Sequence, residues 1–539
     1  MDTKQKSPKQ KVPFKQKLDK YFMISERGST FKTEIIAGLT TFFAMAYIVV
    51  TNPDQIVGFN YGGDFDTIWY AVYVASILVA VIGTLLYAFY AKLPFAQACG
   101  MGLNSFFFVS FIVPELTTGN VIKGYREGLA VILISGLLFM ILSLTGLRTY
   151  IAKALPENLK KAIPAGIGLF IAFLGFQNVG IIQKNKFTIV QLFDFSGIIG
   201  VTKGTVGDMV TNYGDGKVSD AVYGAYESYF QKITDGKALA DILDRQITGL
   251  DAWRLIAPVV IVILGLVIMG VLSKLKVKGS VIITILGSTV LYYLVTWQPP
   301  DLSFAEAVKT IPDSFAAFGT EGLFGAFRGF KTLFTTGGQF TWPTLFNVIS
   351  LTITFCLVDM FDTIGTLYGA ASQADMLDKN GNPINMRQSM NSDSIATLTG
   401  AVLGTSTCTT FVESSAGVGV GGRTGFASLI TAGCFFVCLF LTPIATIIPA
   451  CATAPALIYI GVLMLKGFAK VDMEDITSAI PAFLALIMMP LTYSISNGIA
   501  VGAISYVLIR LFTGKYRKND IVVTIIAVLF GLRFILVSM

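Results

Sequence analysis

The sequence predicts an all-α integral membrane protein of about fourteen transmembrane spans in two inverted repeats of seven, and three observations carry that prediction. Hydrophobic residues make up 54% of the 539 and charged residues only 14%, where a soluble chain usually carries about 25% charged. The apolar residues gather into runs near the roughly 20 residues that cross a hydrocarbon core as a helix. Two of these runs, the third and the tenth, are broken by Gly and hydroxyl residues at matching places in the two halves. A soluble enzyme is excluded, because too little polar surface remains to cover such a core in water.

The chain opens with a basic tail, 1–33, in which Lys4, Lys6, Lys9, Lys11, Lys15, Lys17, Lys20, Arg27 and Lys32 outnumber the acids. Positive charge flanking apolar runs marks the cytoplasmic side, so the N-terminus is placed there. The net charge of +7 is therefore a topology signal rather than a nucleic-acid surface, and no nucleic-acid partner is expected. The first apolar run begins only at Ile35, so nothing reads as a cleaved secretory leader. Runs follow at about 34–51, 69–91, 96–114, 127–147, 162–182, 253–273 and 279–297, then at 344–372, 391–404, 405–421, 424–449, 453–469, 476–492 and 494–513. Even-numbered spans must then end inside, and positive charges follow three of them: Arg148, Lys153, Lys160 and Lys161 after span 4, Lys274, Lys276 and Lys278 after span 6, and Arg510, Lys515, Arg517 and Lys518 after span 14. Two polar stretches, 183–252 and 298–343, fall outside, and the first reads as an ordered or partly helical insertion without chemistry of its own. The apolar stretch 521–537 fits either a fifteenth span or an interfacial helix. Six cysteines lie in or beside apolar runs without metal-ligand spacing and read as small buried hydrophobes.

Spans 3 and 10 carry Ala98-Cys99-Gly100-Met101-Gly102-Leu103-Asn104-Ser105 and Gly404 to Gly417. Paired interruptions of this kind point to a transporter site, because unwound backbone at membrane depth survives only where protein or a cavity satisfies it. Seven spans is an odd number, so the second unit enters the membrane inverted. Span 8 places Thr352, Cys356, Asp359, Asp362, Thr363 and Thr366 on one helical stripe. An ionised Asp at the centre of a membrane helix costs about 2.5–3.5 kcal/mol on insertion scales, so the pair faces a cavity or a partner rather than lipid. Thr410-Phe411-Val412-Glu413 fits a capping box at a mid-membrane helix start, a place where backbone N–H groups and the helix dipole greet a polar ligand. Asn104 is the counterpart in span 3, Phe106 follows it as a candidate stacking face, and Ser414 sits beside Glu413. The chain has no His, so any transported proton is carried by a carboxylate, and Asp359, Asp362 and Glu413 are the candidates. Acceptors, an amide and exposed N–H groups together suit a flat heterocycle with alternating donors and acceptors. No cofactor and no metal site is expected.

The motifs resemble those of a known family. Glu34-Ile35-Ile36-Ala37-Gly38-Leu39-Thr40-Thr41-Phe42, Met45-Ala46-Tyr47 and Asn52-Pro53 are followed by Gly100-Met101-Gly102-Leu103-Asn104. Asp359-Met360-Phe361-Asp362-Thr363-Ile364-Gly365-Thr366, the segment from Gly404 to Gly417, and Gly421-Gly422-Arg423-Thr424-Gly425 come next in order. Together these are similar to the azaguanine-type purine permeases of the nucleobase–cation symporter superfamily, which also holds xanthine and uracil permeases. The resemblance runs from about residue 20 to the C-terminus. It implies a strand plus half-helix in spans 3 and 10, and a core of spans 1–4 (34–147) and 8–11 (344–449). The gate it implies comprises spans 5–7 (148–297) and 12–14 (450–520), with 521–539 as a C-terminal apolar segment. It further implies uptake of hypoxanthine, guanine or adenine with a coupling cation, H⁺ or alternatively Na⁺. The core would move against the gate in the plasma membrane, and the chains would pair as a homodimer through their gates. By matching motifs, Asp359 and Glu413 would bind the purine, Asn104 and Phe106 would support it, and Asp362, Thr363 and Ser414 would serve coupling or binding. The insertion after span 5 is longer than the family leads one to expect.

Two alternatives compete. An intramembrane aspartyl protease also places two Asp residues at membrane depth, but it needs them on two helices, whereas Asp359 and Asp362 share one. An anion transporter of the same general fold would favour a basic residue where Glu413 stands.

Overall fold

In lipid a backbone without internal hydrogen bonds costs several kcal/mol per unpaired group, and the apolar runs accordingly become helices almost end to end. The computed structural model describes residues 14–60, 62–145, 156–185, 189–234, 239–275, 277, 279–298, 304–336, 339–373, 376, 383–411 and 413–537. Residues 1–13 of the basic tail, and Arg148, Lys153, Lys276 and Lys278 among the topology charges, lie outside the described residues.

Span 1 is a helix in two pieces, Phe31–Met45 and Ile48–Ile56, bent at Ala46-Tyr47 and carrying Pro53 in the second piece. Span 2 runs Asp64–Leu86 and closes with a π-helical turn, Tyr87–Ala91. Spans 4 to 7 are Val121–Thr145, Glu157–Asn178, Gly249–Lys274 and Ser280–Thr296. Span 8 is one helix of 32 residues, Trp342–Gln373, and span 9 is Met386–Leu403. Spans 11 to 14 are Gly425–Cys438, Ala450–Leu465, Ile476–Leu491 and Ile495–Phe512. Spans 3 and 10 are, as expected, a short strand followed by a half-helix: Gln97–Cys99 with Met101–Phe107, and Cys408–Thr410 with Ser414–Gly419. Seven helices among the described residues are long and apolar enough to cross a membrane by themselves, with six shorter apolar helices beside them.

The surface confirms the solvent. Val267 and Val271 of span 6 and Val290 and Leu294 of span 7 are all more than half exposed, a face that would aggregate in water and is ordinary against acyl chains. Two groups of helices pack within themselves. Spans 5, 12, 13 and 14 pack together, with span 6 and span 7 against span 12; spans 1, 2 and 11, and spans 4, 8 and 9, form the other group. Small residues allow close approach: a Cβ at Gly461 of span 12 would lie 2.4 Å from the Gly168 carbonyl oxygen of span 5. Span 1 also holds the start of span 11. The buried Glu34 carboxylate accepts the backbone N–H of Arg423 at 2.8 Å, those of Thr424 and Ala427 at 3.3 Å, and the Thr424 hydroxyl at 2.9 Å, and so caps the helix start, where backbone donors lack intrahelical partners.

Among its described residues the insertion after span 5 is folded. It holds a β-hairpin, Ile182–Asn185 with Ile189–Leu192, and helices Phe195–Gly200, Val206–Gly214 and Asp220–Ile233. Ile198, Val206, Met209, Val222, Tyr226 and Phe230 give it a small core. The C-terminal stretch is a helix, Ile521–Val537, that packs on spans 8 and 14 and presents an apolar outer face.

Candidate substrate site at the crossing strands

The site begins with a backbone problem. Span 3 carries Gly100 and Gly102, which weaken a helix, and span 10 is rich in Thr and Ser, which compete for backbone groups. Each unwound segment satisfies the other. The strands pair antiparallel, Gln97 with Thr410, Ala98 with Thr409 and Cys99 with Cys408. The ladder continues where the Gly100 N–H donates to the Thr407 carbonyl at 2.9 Å and the Phe411 N–H to the Ala96 carbonyl at 3.1 Å. An antiparallel pairing is what two copies of one unit produce when they enter a membrane from opposite sides. The half-helices leave the ladder from its opposite ends.

Spans 8 and 9 hold this ladder with side chains. The Thr397 hydroxyl lies 2.9 Å from Asp359 Oδ2 and 2.9 Å from the Cys408 carbonyl, and it accepts the Cys408 N–H at 3.0 Å. One turn along, the Thr363 hydroxyl donates to Asp393 Oδ2 at 2.6 Å and lies 2.8 Å from the Thr409 hydroxyl, while Gln97 Nε2 donates to Asp393 Oδ1 at 3.0 Å. The Tyr87 and Thr410 hydroxyls meet at 2.7 Å, and Ser414 Oγ accepts the Ala96 N–H at 3.0 Å. Asp359, Thr363, Asp393, Thr397 and Gln97 are all buried. Asp362 and Glu413 are half-buried and near enough to each other to interact as charges. Glu413 Oε1 accepts the Tyr47 hydroxyl at 2.8 Å, reaching to the bend of span 1.

Asp359, Thr363 and Ser414 thus bond around one ladder, while Asp362 and Glu413 interact as charges. Asn104 and Phe106 stand differently. Asn104 Nδ2 donates to Asn52 Oδ1 and, at 3.3 Å, to Gln55 Oε1, and its Oδ1 accepts from Ser406 Oγ, so the amide is held within spans 1, 3 and 10. Phe106 is buried with its ring 5.0 Å from that of Phe355 on span 8, a packing contact. The capping box is corrected. Pairing keeps Thr410 extended in the strand with its hydroxyl on Tyr87, and Glu413 is itself the residue that precedes the half-helix, with no side-chain capping bond. Residue-level reading missed Asp393, Gln97 and Thr397. The signal for Asp393 was present in Ser389, Ser392, Asp393 and Thr397, one polar stripe along span 9. Among the described residues, no group of three or more Cys, Asp or Glu is placed to hold a metal ion.

This arrangement offers ionisable acceptors, hydroxyls and the starts of two short helices around one place inside an apolar protein. Residues 32–205 and 231–501 match a family model described as "Permease family", of the xanthine/uracil permease type. The chain is 35% identical over 511 residues to the guanine/hypoxanthine permease PbuO of Bacillus subtilis, covering 94% of this chain and 98% of that one. It is 32% identical over 523 residues to the adenine permease AdeQ of Escherichia coli, covering 97% of each. Among solved structures it shares the fold of the transmembrane domain of the cyanobacterial bicarbonate transporter BicA, with a TM-score of 0.50, 13% identity, and coverage of 86% of this chain and 97% of that one.

Proposed function

The chain belongs to this permease family, and on that footing we propose that it carries purine nucleobases, hypoxanthine, guanine or adenine, across the membrane as a secondary transporter. One observation carries the reading: near full-length similarity to permeases named for these bases coincides with carboxylates from spans 8 and 10 meeting at the strand crossing. Asp359 and Glu413 take the ring N–H groups of the base as acceptors, which an N–H edge favours over water only in a buried site. Asn104 sets the place of span 3, and Phe106 backs it through Phe355. Asp362, with Thr363 and Ser414 as its supports, carries the coupling proton, because two acids close together cannot both stay ionised at low cost; Na⁺ is the alternative ion.

The self-packing of the two helix groups supports a core of spans 1–4 and 8–11 moving against a gate of spans 5–7 and 12–14, with the base released alternately to either side. The chain then lies in the plasma membrane with its N-terminus in the cytoplasm, and pairs through its gates. The shared fold with a bicarbonate transporter leaves an anion as the rival cargo, and a carboxylate beside the half-helix opposes it.

Uptake of labelled hypoxanthine, guanine and adenine into proteoliposomes, with and without an imposed pH gradient, decides the matter. Accumulation should follow the gradient and be lost in Glu413→Gln and Asp359→Asn. Unchanged accumulation in both variants would reject the site, indifference to the gradient would reject proton coupling, and competition by chloride or sulfate would favour the anion reading.

A further inference from the structure

Two of the six cysteines face each other across the strand crossing. Cys99 and Cys408 are direct partners in the antiparallel register, and both are fully buried. Which kind of pair they form follows from the ladder. Gly100 bonds Thr407 and Phe411 bonds Ala96, so the hydrogen-bonded pairs alternate as 96 with 411, 98 with 409 and 100 with 407. Cys99 and Cys408 therefore occupy a non-hydrogen-bonded position, where the side chains stand closest on one face and the Cα atoms are about 4.5 Å apart. A disulfide spans Cα separations of about 4.4–6.8 Å. The remaining cysteines have no such placement: Cys434 and Cys438 share one helix, and Cys356 and Cys451 lie on spans 8 and 12.

The surroundings connect this pair to the site. Cys99 Sγ lies 3.2 Å from the Thr405 hydroxyl, and both thiols are within electrostatic reach of Asp359. The Cys408 backbone is the group that Thr397 ties to Asp359. A covalent bond here would join spans 3 and 10 at the residue whose backbone Thr397 ties to Asp359.

We propose that Cys99 and Cys408 form an oxidisable dithiol, a modification site for small membrane-permeant two-electron thiol oxidants, and that closing it locks the crossing strands and stops transport. With a diazene dicarboxamide as oxidant, two S–H bonds break and one S–S bond forms. The two protons and two electrons pass to the N=N bond, which becomes a hydrazine. Burial restricts the reaction to an oxidant that partitions into the protein; the direct register pairing of the two cysteines makes the intramolecular step fast once one of them has reacted. The transport consequence rests on the proposed function, whereas the bond itself does not.

The test uses the full chain in proteoliposomes, treated with diamide, alkylated, and digested without reduction. The expected product is a peptide joining the segments around Cys99 and Cys408, lighter by two hydrogen atoms than the two peptides together, with the other four thiols alkylated. Purine uptake is lost on treatment and returns on reduction, while Cys99→Ala and Cys408→Ala give no joined peptide and whatever uptake they retain does not respond to the oxidant. Recovery of both cysteines as alkylated thiols would overturn the dithiol, and a formed bond with undiminished uptake would overturn the lock. The mass readout needs no substrate, so a chain that carried no purine would still make or refuse this bond.

Discussion

Asp393 anchors the first strand to span 8, and replacing it separates two roles that a buried carboxylate can play. Its two oxygens accept from Gln97 Nε2 at 3.0 Å and from the Thr363 hydroxyl at 2.6 Å. In Asp393→Ala the Thr363 hydroxyl can turn to Thr409, already 2.8 Å away, but the Gln97 amide has nowhere to donate. A buried donor left without a partner costs about 1–3 kcal/mol, and the void left by the lost carboxyl adds about 1 kcal/mol, so the expected loss is about 2–4 kcal/mol. Asp393→Asn is different. The new amide oxygen accepts from Gln97, the new NH₂ donates to Thr363 Oγ1, and Thr363 donates onward to Thr409, so each of these three contacts is kept. Interhelical hydrogen bonds inside membranes are worth only about 0.6 kcal/mol each on average, and exchanging one satisfied set for another should cost less than about 1 kcal/mol. Thermal unfolding in one detergent, at one scan rate because unfolding of such proteins is often irreversible, should place the Asn variant near the parent and the Ala variant well below both. An Asn variant as unstable as the Ala variant would refute the reasoning, since the charge and not the acceptor geometry would then hold the strand.

Three further outcomes are expected. Tyr47→Phe removes the hydroxyl that Glu413 accepts at 2.8 Å; a side-chain hydrogen bond between membrane helices is worth about 0.6 kcal/mol on average, so the melting temperature should change little and labelled purine should bind about threefold more weakly. Gly461→Ala sets a Cβ 2.4 Å from the Gly168 carbonyl oxygen, forces spans 5 and 12 apart, and should cost about 1–3 kcal/mol, read as a lower unfolding temperature. In the insertion, the Thr205 backbone N–H and hydroxyl hold the Asp208 carboxyl below the usual range. A depressed folded pKa contributes stability above the unfolded value, about 3.9 for Asp, and that stability is lost as pH falls through the folded value. Corrected amide exchange over 206–214 should therefore quicken only below about pH 4 in the parent, and at neutral pH already in Asp208→Asn.

What the sequence reveals of this molecule follows from the cost of polar groups in lipid. An acid on an apolar helix is conspicuous because nothing in its own segment can compensate it, so Asp359, Asp362 and Glu413 were legible before any partner was known, as were the Gly-rich and hydroxyl-rich interruptions of spans 3 and 10. The partners are less visible. Tyr47 and Gln97 are ordinary residues whose importance arises only where the bend of span 1 and the strand of span 3 bring them to Glu413 and Asp393. Asp393 was hidden for the opposite reason: its helix, Met386–Leu403, carries so many polar residues on the face turned onto the ladder that one more acid does not stand out. Phe106 shows the remaining limit, since an aromatic residue beside a polar motif reads the same whether its ring meets a ligand or, as here, Phe355. The Thr410–Glu413 spacing suits a capping box in any helix that starts at Thr410, and only the pairing with Gln97 moves that start three residues on. Long-range strand pairing, which local pattern cannot express, therefore decides which polar groups of span 10 are used up by structure and which remain to meet a substrate.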